Sequence, residues 1–298
     1  MNDTKRIFKS LNVLIILFTL VVTACGVCSF DTAQSYEVVN QYGENIRMWG
    51  TGIYSHDSYF KAPIFIGSDF TILIFIIPLT IITFLKVNHK QSVECLICSF
   101  SVSGVLLYYA TSLAFGVTYN NLHLVYIALF SVCFFNVSLM LAKLHTIGIQ
   151  QSKVCSYHFT KGMKVFLLIA GVSLFVAWLP DIIISITGGT SLELIEVYTT
   201  EITYVLDMGI ISPLMFLTYF LIKQENFIGY ILLRMIFKLC MCVGIMLPIQ
   251  SAFQLLAGIS MPLSALTTKV LIFVMLAVFA TIFEYHLKNS TRYTEGII

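Results

Sequence analysis

Charged residues are scarce in this chain. Of its 298 residues, 17 are Lys or Arg and 15 are Asp or Glu, so charged side chains make up 11% of the sequence, whereas soluble proteins carry about 25%. A water-soluble chain of this length could not keep its surface hydrated with so few charges. The formal net charge of +2 is also too small to indicate nucleic acid as a partner.

The short motifs of common enzyme classes are absent as well. The sequence contains no HExxH or HxxEH zinc motif, no GxSxG, no phosphate-binding loop and no GxGxxG. None of the six histidines is paired with another at metal-ligand spacing. We therefore predict no metal site and no cofactor, and we assign no catalytic residue. An intramembrane enzyme with catalytic groups spread over several helices stays open as an alternative.

Long apolar runs dominate what is present. Hydrophobic residues make up 58% of the chain and the mean hydropathy is +0.90. A helix needs about 20 apolar residues to cross the hydrocarbon core. Continuous runs rich in Leu, Ile and Phe favour helices over barrel strands, which alternate. Eight such runs lie at about residues 11–29, 69–86, 93–114, 122–142, 164–185, 202–222, 232–256 and 268–287.

These runs predict an all-α fold, a polytopic transmembrane helix bundle of about eight spans in one membrane domain over residues 1–298. No internal repeat stands out. The segment 31–68 is predicted to cap the bundle on the outer side, because it is too short to form a core of its own. The segment 144–163 is predicted to be a basic cytoplasmic loop.

The distribution of Lys and Arg predicts the orientation. With the N-terminus inside, twelve cations lie in cytoplasmic segments and three in outer ones, and such a bias marks the cytoplasmic side. Both termini are therefore predicted to be cytoplasmic. The outer cations are Arg47, Lys61 and Lys269. The cytoplasmic ones are Lys5, Arg6, Lys9, Lys86, Lys90, Lys143, Lys153, Lys161, Lys164, Lys223, Lys288 and Arg292.

Two spans allow a second interpretation. In the first, Val22-Thr23-Ala24-Cys25 has the form of a lipoprotein-type cleavage site after an apolar run, although an uncleaved span is favoured. In the seventh, residues 227–238 either belong to the membrane helix, which is favoured, or lie along the interface. Arg234 and Lys238 are expected to pair with Glu94 and Glu284; an anion or lipid-headgroup site is the alternative.

Carboxylates inside spans are the strongest candidates for a binding site, because each costs about 2.5–3.5 kcal/mol at a helix centre. Asp207 lies six residues into the sixth span, with Thr203 on the same helix face. Asp181 follows Pro180 near the outer end of the fifth span. We predict that these residues line an outward-facing pocket for a small solute, cation or amine. Alternatively, threonines or neighbouring backbone groups satisfy the carboxylates.

A second polar cluster is predicted at the same depth in the outer leaflet. Asn120 lies in the turn before the fourth span, and His123 and Tyr126 open that span on one face. Tyr108 and Tyr109 end the third span nearby. The cluster is a candidate ligand contact, and an interfacial aromatic belt is the alternative.

Three stretches of the sequence carry a resemblance to a known family. They are Tyr108-Tyr109 through Asn120, His123 and Tyr126 to Phe130; Leu206-Asp207-Met208-Gly209 with Pro213; and Gly52-Ile53-Tyr54, Asp57-Ser58 and Gly67-Ser68-Asp69. In these stretches the chain resembles an uncharacterised family of multi-pass membrane proteins in bacteria and archaea, to which no activity is assigned. The resemblance implies a prokaryotic cell membrane.

The resemblance also adds Asp57 and Asp69 to the candidate residues and supports Asp207 and Tyr126. Ala110 departs from the family's pattern, which has a second polar residue after the tyrosine pair. The first functional hypothesis is binding or transport of a small solute or cation. The alternatives are a membrane-embedded enzyme that acts on a lipid or isoprenoid, with aspartates as acid or base, and an assembly or regulatory subunit.

Overall fold

The computed structural model describes residues 2–90, 92–150, 155–156, 158–260 and 263–293. Within these ranges, eight helical segments are long and apolar enough to cross a membrane. The predicted all-α bundle of eight spans is therefore confirmed. The helices are α1 (Asn2–Val27), α2 (Ala62–Thr71), α3 (Ile77–Lys90), α4 (Val93–Gly116), α5 (His123–Gln150), α6 (Lys161–Gly188), α7 (Ile202–Leu206), α8 (Ser212–Lys223), α9 (Phe227–Leu256) and α10 (Leu263–Ser290).

Polar side chains mark the first residues of several spans. The Ser92 hydroxyl accepts a hydrogen bond from the Cys95 amide at the start of α4. At the start of α6, the Thr160 hydroxyl accepts one from the Met163 amide. The side chain of Asn226 caps α9. These residues satisfy amide groups that have no partner within the helix. Gly189, with φ +63°, ends α6 in the left-handed conformation.

Several helices extend beyond the windows predicted from hydropathy. Helix α5 continues to Gln150 and α6 begins at Lys161, so both ends of the basic segment 144–163 are helical rather than loop; its residues 151–154 and 157 lie outside the described ranges. The second span begins at Ala62 instead of residue 69, and α9 is continuous from Phe227. Hydropathy detects only the lipid-embedded part, whereas helical hydrogen bonding continues into the interface.

Two spans are interrupted by a π turn. One π turn covers Ile72–Ile76, between α2 and α3, and the other covers Asp207–Ile211, between α7 and α8. Each ends two residues before a proline, Pro78 and Pro213 respectively. The wider turn accommodates the missing proline amide, and such sites are where helices bend.

Helices α4 and α9 form the centre of the bundle and pack against each other. At one end, Arg234 of α9 donates hydrogen bonds to Glu94 of α4 and to Glu284 of α10, the latter at 2.8 Å from Nη2 to Oε1. Lys238 lies 3.6 Å from Glu284. The expected pairing of these four residues is therefore confirmed, and it joins three spans at one level.

The opposite end carries the segment that connects α1 to α2, which is the outer side in the predicted orientation. An antiparallel hairpin of β1 (Tyr36–Val39) and β2 (Asn45–Met48) is followed by a single 3-10 turn at Gly52–Tyr54. The buried side chains of Trp49 and Tyr54 pack with Ile66 and Ala257 at the outer ends of α2 and α9. Residues 31–61 therefore fold onto the bundle and do not form a separate unit.

A second short strand pair lies at the other side of the bundle. Cys155–Ser156 (β3) pairs antiparallel with Arg292–Tyr293 (β4). The connection between α5 and α6 and the segment after α10 therefore lie on the same side, as an even number of spans requires.

Candidate functional site

Asp207 lies at the start of the π turn in the sixth span and is 7% exposed. Two ring donors hold its carboxylate. The Tyr108 hydroxyl donates to Oδ1 and the Trp178 indole Nε1 donates to Oδ2, both at 3.0 Å. The carboxylate is thus held by side chains of α4 and α6, rather than by the threonines or backbone of its own helix. Each of its oxygens can accept a further hydrogen bond.

A cavity of about 200 Å³ lies beside Asp207, in the outer half of the bundle. It is enclosed by α2, α4, α6, α7 to α9 and α10, and its wall is mainly Leu, Ile, Met, Val and Phe side chains. Asp207 is the one carboxylate among the described residues on this wall. The other polar side chains on the wall are Ser68, Tyr108, Tyr109, Ser112, Trp178, Thr203 and Gln250.

Thr203 and Asp181 differ in their relation to this cavity. Thr203 lines it, as the shared helix face predicted. Asp181 is outside it and accepts a hydrogen bond of 2.8 Å from the Tyr204 hydroxyl. The rings of Tyr204 and Trp178 stack at 4.8 Å, so the two carboxylates belong to one aromatic cluster but do not face a common space. The structure therefore does not support a paired-carboxylate site.

Asp69 is fully buried in the second span. The Tyr54 hydroxyl donates to its Oδ2 at 2.6 Å and the Tyr109 hydroxyl donates to its Oδ1. Helix α1 passes directly beside it, because a Cβ atom on Gly26 would lie 1.6 Å from Asp69 Oδ2. Asp69 does not line the cavity, but Tyr109 does, so one phenol ring separates this buried carboxylate from the space at Asp207.

The predicted cluster around the fourth span is divided, because Tyr108 and Tyr109 line the cavity and the other members do not. Tyr126 is fully buried and accepts a hydrogen bond of 3.3 Å from the Asn120 side-chain amide. His123 contacts Tyr119, and its Nδ1 has no hydrogen-bond partner among the described residues. None of the three candidates lines the cavity at Asp207. Their predicted depth along the membrane normal matches that of Asp207, but they do not reach its cavity. Depth alone does not fix the direction in which a helix face points.

The outer side of the cavity is covered by contacts that the sequence did not reveal. Lys61 forms an ion pair with Glu201, just before the cavity-lining Ile202, and its ammonium lies 4.2 Å from the centre of the Tyr198 ring. Phe65, on the cavity wall, contacts the same tyrosine ring edge-on at 6.4 Å. The segment before α7 therefore closes over the start of α2. The predicted outward-facing mouth is covered in this structure.

Asp57 anchors this cover from outside the membrane spans. It is fully buried, and its Oδ1 accepts hydrogen bonds of 2.9 Å from the Thr118 amide and the Tyr198 hydroxyl. Its Oδ2 has no hydrogen-bond partner among the described residues. Burial raises the pKa of Asp57 to about 7, although those two donors, the Thr118 hydroxyl and Lys61 act to lower it. Burial also raises the pKa of Glu196, which accepts a hydrogen bond from Ser58.

Asp57→Asn is expected to weaken the pH dependence of stability. A folded-state pKa of about 7 lies above the unfolded value of about 3.9, so the folded state binds more protons between these values. Stability then falls as the pH rises through this window. We expect the melting temperature of the wild-type protein to decrease between about pH 4 and pH 7, and the decrease to be smaller in Asp57→Asn. Asn retains the Oδ1 acceptor.

Asp31→Asn serves as the control for this measurement, because Asp31 is an exposed carboxylate in the same outer segment. Glu196 contributes in the same direction as Asp57, so a residual slope is expected in the variant. Equal slopes in the wild type and Asp57→Asn would contradict the assignment.

Comparisons of the chain with protein-family models, with curated proteins and with solved structures gave no match. The resemblance to the prokaryotic membrane family stays a prediction. Among the described residues, no group of three or more His, Cys, Asp or Glu side chains could hold a metal ion. The arrangement that distinguishes this chain chemically is a carboxylate on the wall of an apolar cavity, between two aromatic donors.

Proposed function

We propose that this protein binds a small ligand with a basic or hydroxyl-bearing group in the cavity at Asp207, in the outer half of a prokaryotic cell membrane. One observation carries the proposal: Asp207 is the carboxylate on an otherwise mainly apolar wall, and its two hydrogen bonds leave acceptor capacity on both oxygens. A carboxylate is costly at this depth. Polar groups within spans usually mark sites for ions or ligands.

The chemistry of the wall favours a cation over a neutral ligand. A basic group at Asp207 would form a charge-assisted hydrogen bond in a medium of low dielectric constant. The rings of Tyr108 and Trp178 flank the same carboxylate and attract cations through their faces. The volume of about 200 Å³ suits a small headgroup, since whole drug-sized ligands occupy about 300–1,000 Å³.

The structure of the sixth span supports an extension of this proposal, in which the protein also moves its ligand. Asp207 is the first residue of the π turn, and the turn ends two residues before Pro213. Bending at such a turn would change the angle between α7, which lines the cavity, and α8, which runs to the opposite side. Binding at Asp207 would in this way be coupled to the position of the inner half of the span.

The enzyme hypothesis has less support from the geometry. Catalysis on a lipid by a pair of aspartates, one as acid and one as base, would need two carboxylates near the substrate, and the described part of the cavity wall offers one. Asp57, Asp69 and Asp181 do not line the cavity, and each accepts a hydrogen bond from a tyrosine hydroxyl. The hypothesis of an assembly or regulatory subunit predicts that substitution of Asp207 leaves the function of the protein unchanged.

Asp207→Asn is expected to leave the protein folded and to abolish stabilisation by amines. Asn keeps an oxygen acceptor and the shape of the side chain but removes the charge. For the wild type, an amine at about 100 times its Kd should add about 2.7 kcal/mol, or on the order of 5 °C in the melting temperature. The measurement is a thermal shift in lipid nanodiscs with n-butylamine and n-dodecylamine.

Asp181→Asn is the matched control, because Asp181 also accepts a hydrogen bond from a tyrosine at a similar level but is outside the cavity. It should keep the full thermal shift. Retention of the shift in Asp207→Asn, or its loss in both variants, would contradict the proposal.

A further inference from the structure

The cavity at Asp207 continues sideways toward the lipid. A groove between α6 and α10 shares Leu174, Trp178, Phe273 and Leu276 with the cavity wall. Beyond these residues the groove is lined by side chains that are half or more exposed on the surface of the bundle, among them Val172, Val176 and Ile272. Because these residues lie within spans, that surface faces acyl chains rather than water.

The two helices that form the groove meet at one end and separate at the other. Near the inner end, the Phe283 ring of α10 contacts the Phe166 ring of α6 at 5.8 Å and lies 3.1 Å from the Cβ position of Gly162. Across the middle of the spans the groove lies between them, from Leu168 to Trp178 on α6. The outer end of the groove thus reaches Trp178, beside Asp207.

The arrangement of the whole bundle shows that this opening is specific to one half. Spans one to four and spans five to eight follow the same order. In each half the second span contains the π turn and proline, and the third is the most buried, with 61% of its most apolar stretch inside the protein, against 17–33% for the other spans. In each half, the first span packs on the second and the third packs on the fourth.

The halves differ where the first span meets the fourth. In the first half, α1 packs along α5. The side chains of Ile15 and Val22 on α1 and of Leu129 and Cys133 on α5 are fully buried. In the second half, the corresponding pair is α6 and α10, and the groove occupies that position. The same packing arrangement is therefore closed on one side of the bundle and open on the other, next to Asp207.

Trp178 connects the open groove to the carboxylate. Its ring lines both the groove and the cavity, and its Nε1 donates to Asp207 Oδ2 at 3.0 Å. A molecule that lies in the groove with its polar end inward would place that end beside the carboxylate. Among the described residues that line the groove beyond the cavity, Ser173 is the one with a hydroxyl, so the rest of the described groove suits an alkyl chain.

We propose that the ligand is a single-chain amphiphile with a basic headgroup, which enters from the outer leaflet between α6 and α10. Its headgroup binds Asp207 and its alkyl chain lies in the groove. The inference rests on the proposed function, because it names the ligand class and the access route for the same carboxylate.

The test uses the full-length protein in lipid nanodiscs and two amine probes, n-butylamine as a headgroup alone and n-dodecylamine as a headgroup with a chain. Ile272→Trp fills the groove, and Leu271→Trp is the matched control, because Leu271 is the neighbouring residue with a similar exposure, 57% against 50%, but does not line the groove. Dodecylamine concentrations are expressed as mole fractions in the lipid. We expect Ile272→Trp to weaken dodecylamine binding about tenfold or more and to leave butylamine binding unchanged.

The outcomes separate the two proposals. If Asp207→Asn abolishes binding of both amines but Ile272→Trp weakens neither, the groove proposal is overturned and the proposed function stands. If Asp207→Asn binds both amines normally, the proposed function fails. Val172→Phe, also in the groove, provides a second blocking variant should Ile272→Trp fail to fold.

Tryptophan fluorescence gives an independent readout. The chain has two tryptophans, and Trp49 is fully buried in the outer segment, so Trp49→Phe leaves Trp178 as the sole reporter. In nanodiscs of dibrominated phosphatidylcholine we expect quenching of Trp178 by acyl chains, and relief of quenching when dodecylamine occupies the groove. Absence of quenching, or quenching that dodecylamine does not relieve, would overturn the proposed route.

Discussion

Gly26→Ala is expected to destabilise the protein by about 3 kcal/mol, more than removal of most single contacts. The added Cβ would lie 1.6 Å from Asp69 Oδ2 and 2.5 Å from its carboxyl carbon, so α1 must move away from the second span or the carboxylate must leave its two tyrosines. Either change exposes or breaks a buried hydrogen-bonded group. The measurement is the free energy of unfolding in a denaturing-detergent titration.

Asp69→Ala provides the test of mechanism. With the carboxylate removed, the nearest remaining atom of residue 69 is its Cβ, at 3.2 Å, so Gly26→Ala should cost little more in that background. Gly209→Ala is the control, because no atom of the described residues lies within 4 Å of its Cβ position. Additive effects of Gly26→Ala and Asp69→Ala would show that the destabilisation has another origin.

Arg234→Met is expected to destabilise the protein by about 3–5 kcal/mol, the usual cost of removing one partner from a buried ion pair. Arg234 is 2% exposed and donates to carboxylates on two other spans. Without the guanidinium, both carboxylates lose this donor, and Glu284 keeps Lys238 at 3.6 Å. The same detergent titration measures the loss.

Combining Arg234→Met with Glu94→Gln and Glu284→Gln should recover a large part of that loss. The two carboxylates that had paired with the guanidinium are then replaced by neutral amides. Arg234→Lys should be intermediate, since an ammonium keeps the charge but not the forked geometry. Lys288→Met, at an exposed cation near the end of α10, should change little. A triple variant as unstable as Arg234→Met would contradict this account.

The number and type of spans could be predicted from the sequence, because each apolar run has to be long enough for the hydrocarbon core regardless of its neighbours. The pairing of Arg234 with Glu94 and Glu284 followed for a similar reason. Burying a guanidinium is so costly that the nearest opposite charges at the same depth are its expected partners. Both predictions depend on position along the membrane normal, which the chain order fixes.

The site depends on rotation and lateral position, which chain order does not fix. None of the four residues predicted at the depth of Asp207 lines its cavity, namely Asp181, Asn120, His123 and Tyr126. Trp178 was not among the residues predicted for the site, yet it is the donor that connects the carboxylate to the groove. Finding this contact would have required a pattern of polar residues that shows which helix faces meet. Apolar runs do not show which faces meet.

The arrangement of the bundle as two halves of four spans also could not be predicted from the sequence. The shared features are a π turn, a proline and a central helix, while the side chains around them differ. Gly26 adjoins Asp69 in the first half, and Trp178 adjoins Asp207 in the second. Helix packing requires matching shapes and buried areas rather than matching residues, so two halves can agree in arrangement without a visible repeat.

The loop before α7 is tied to the outer hairpin at several points. The Asn40 side chain donates to the Glu196 carbonyl, the Gln41 side chain donates to the Tyr198 carbonyl, and Lys61 pairs with Glu201. The sixth span begins at Ile202, directly after Glu201. If binding at Asp207 tilts that span, as proposed, the hairpin would move with it. Antibodies that touch only the outer side of the protein, in the predicted orientation, would then detect whether the site is occupied.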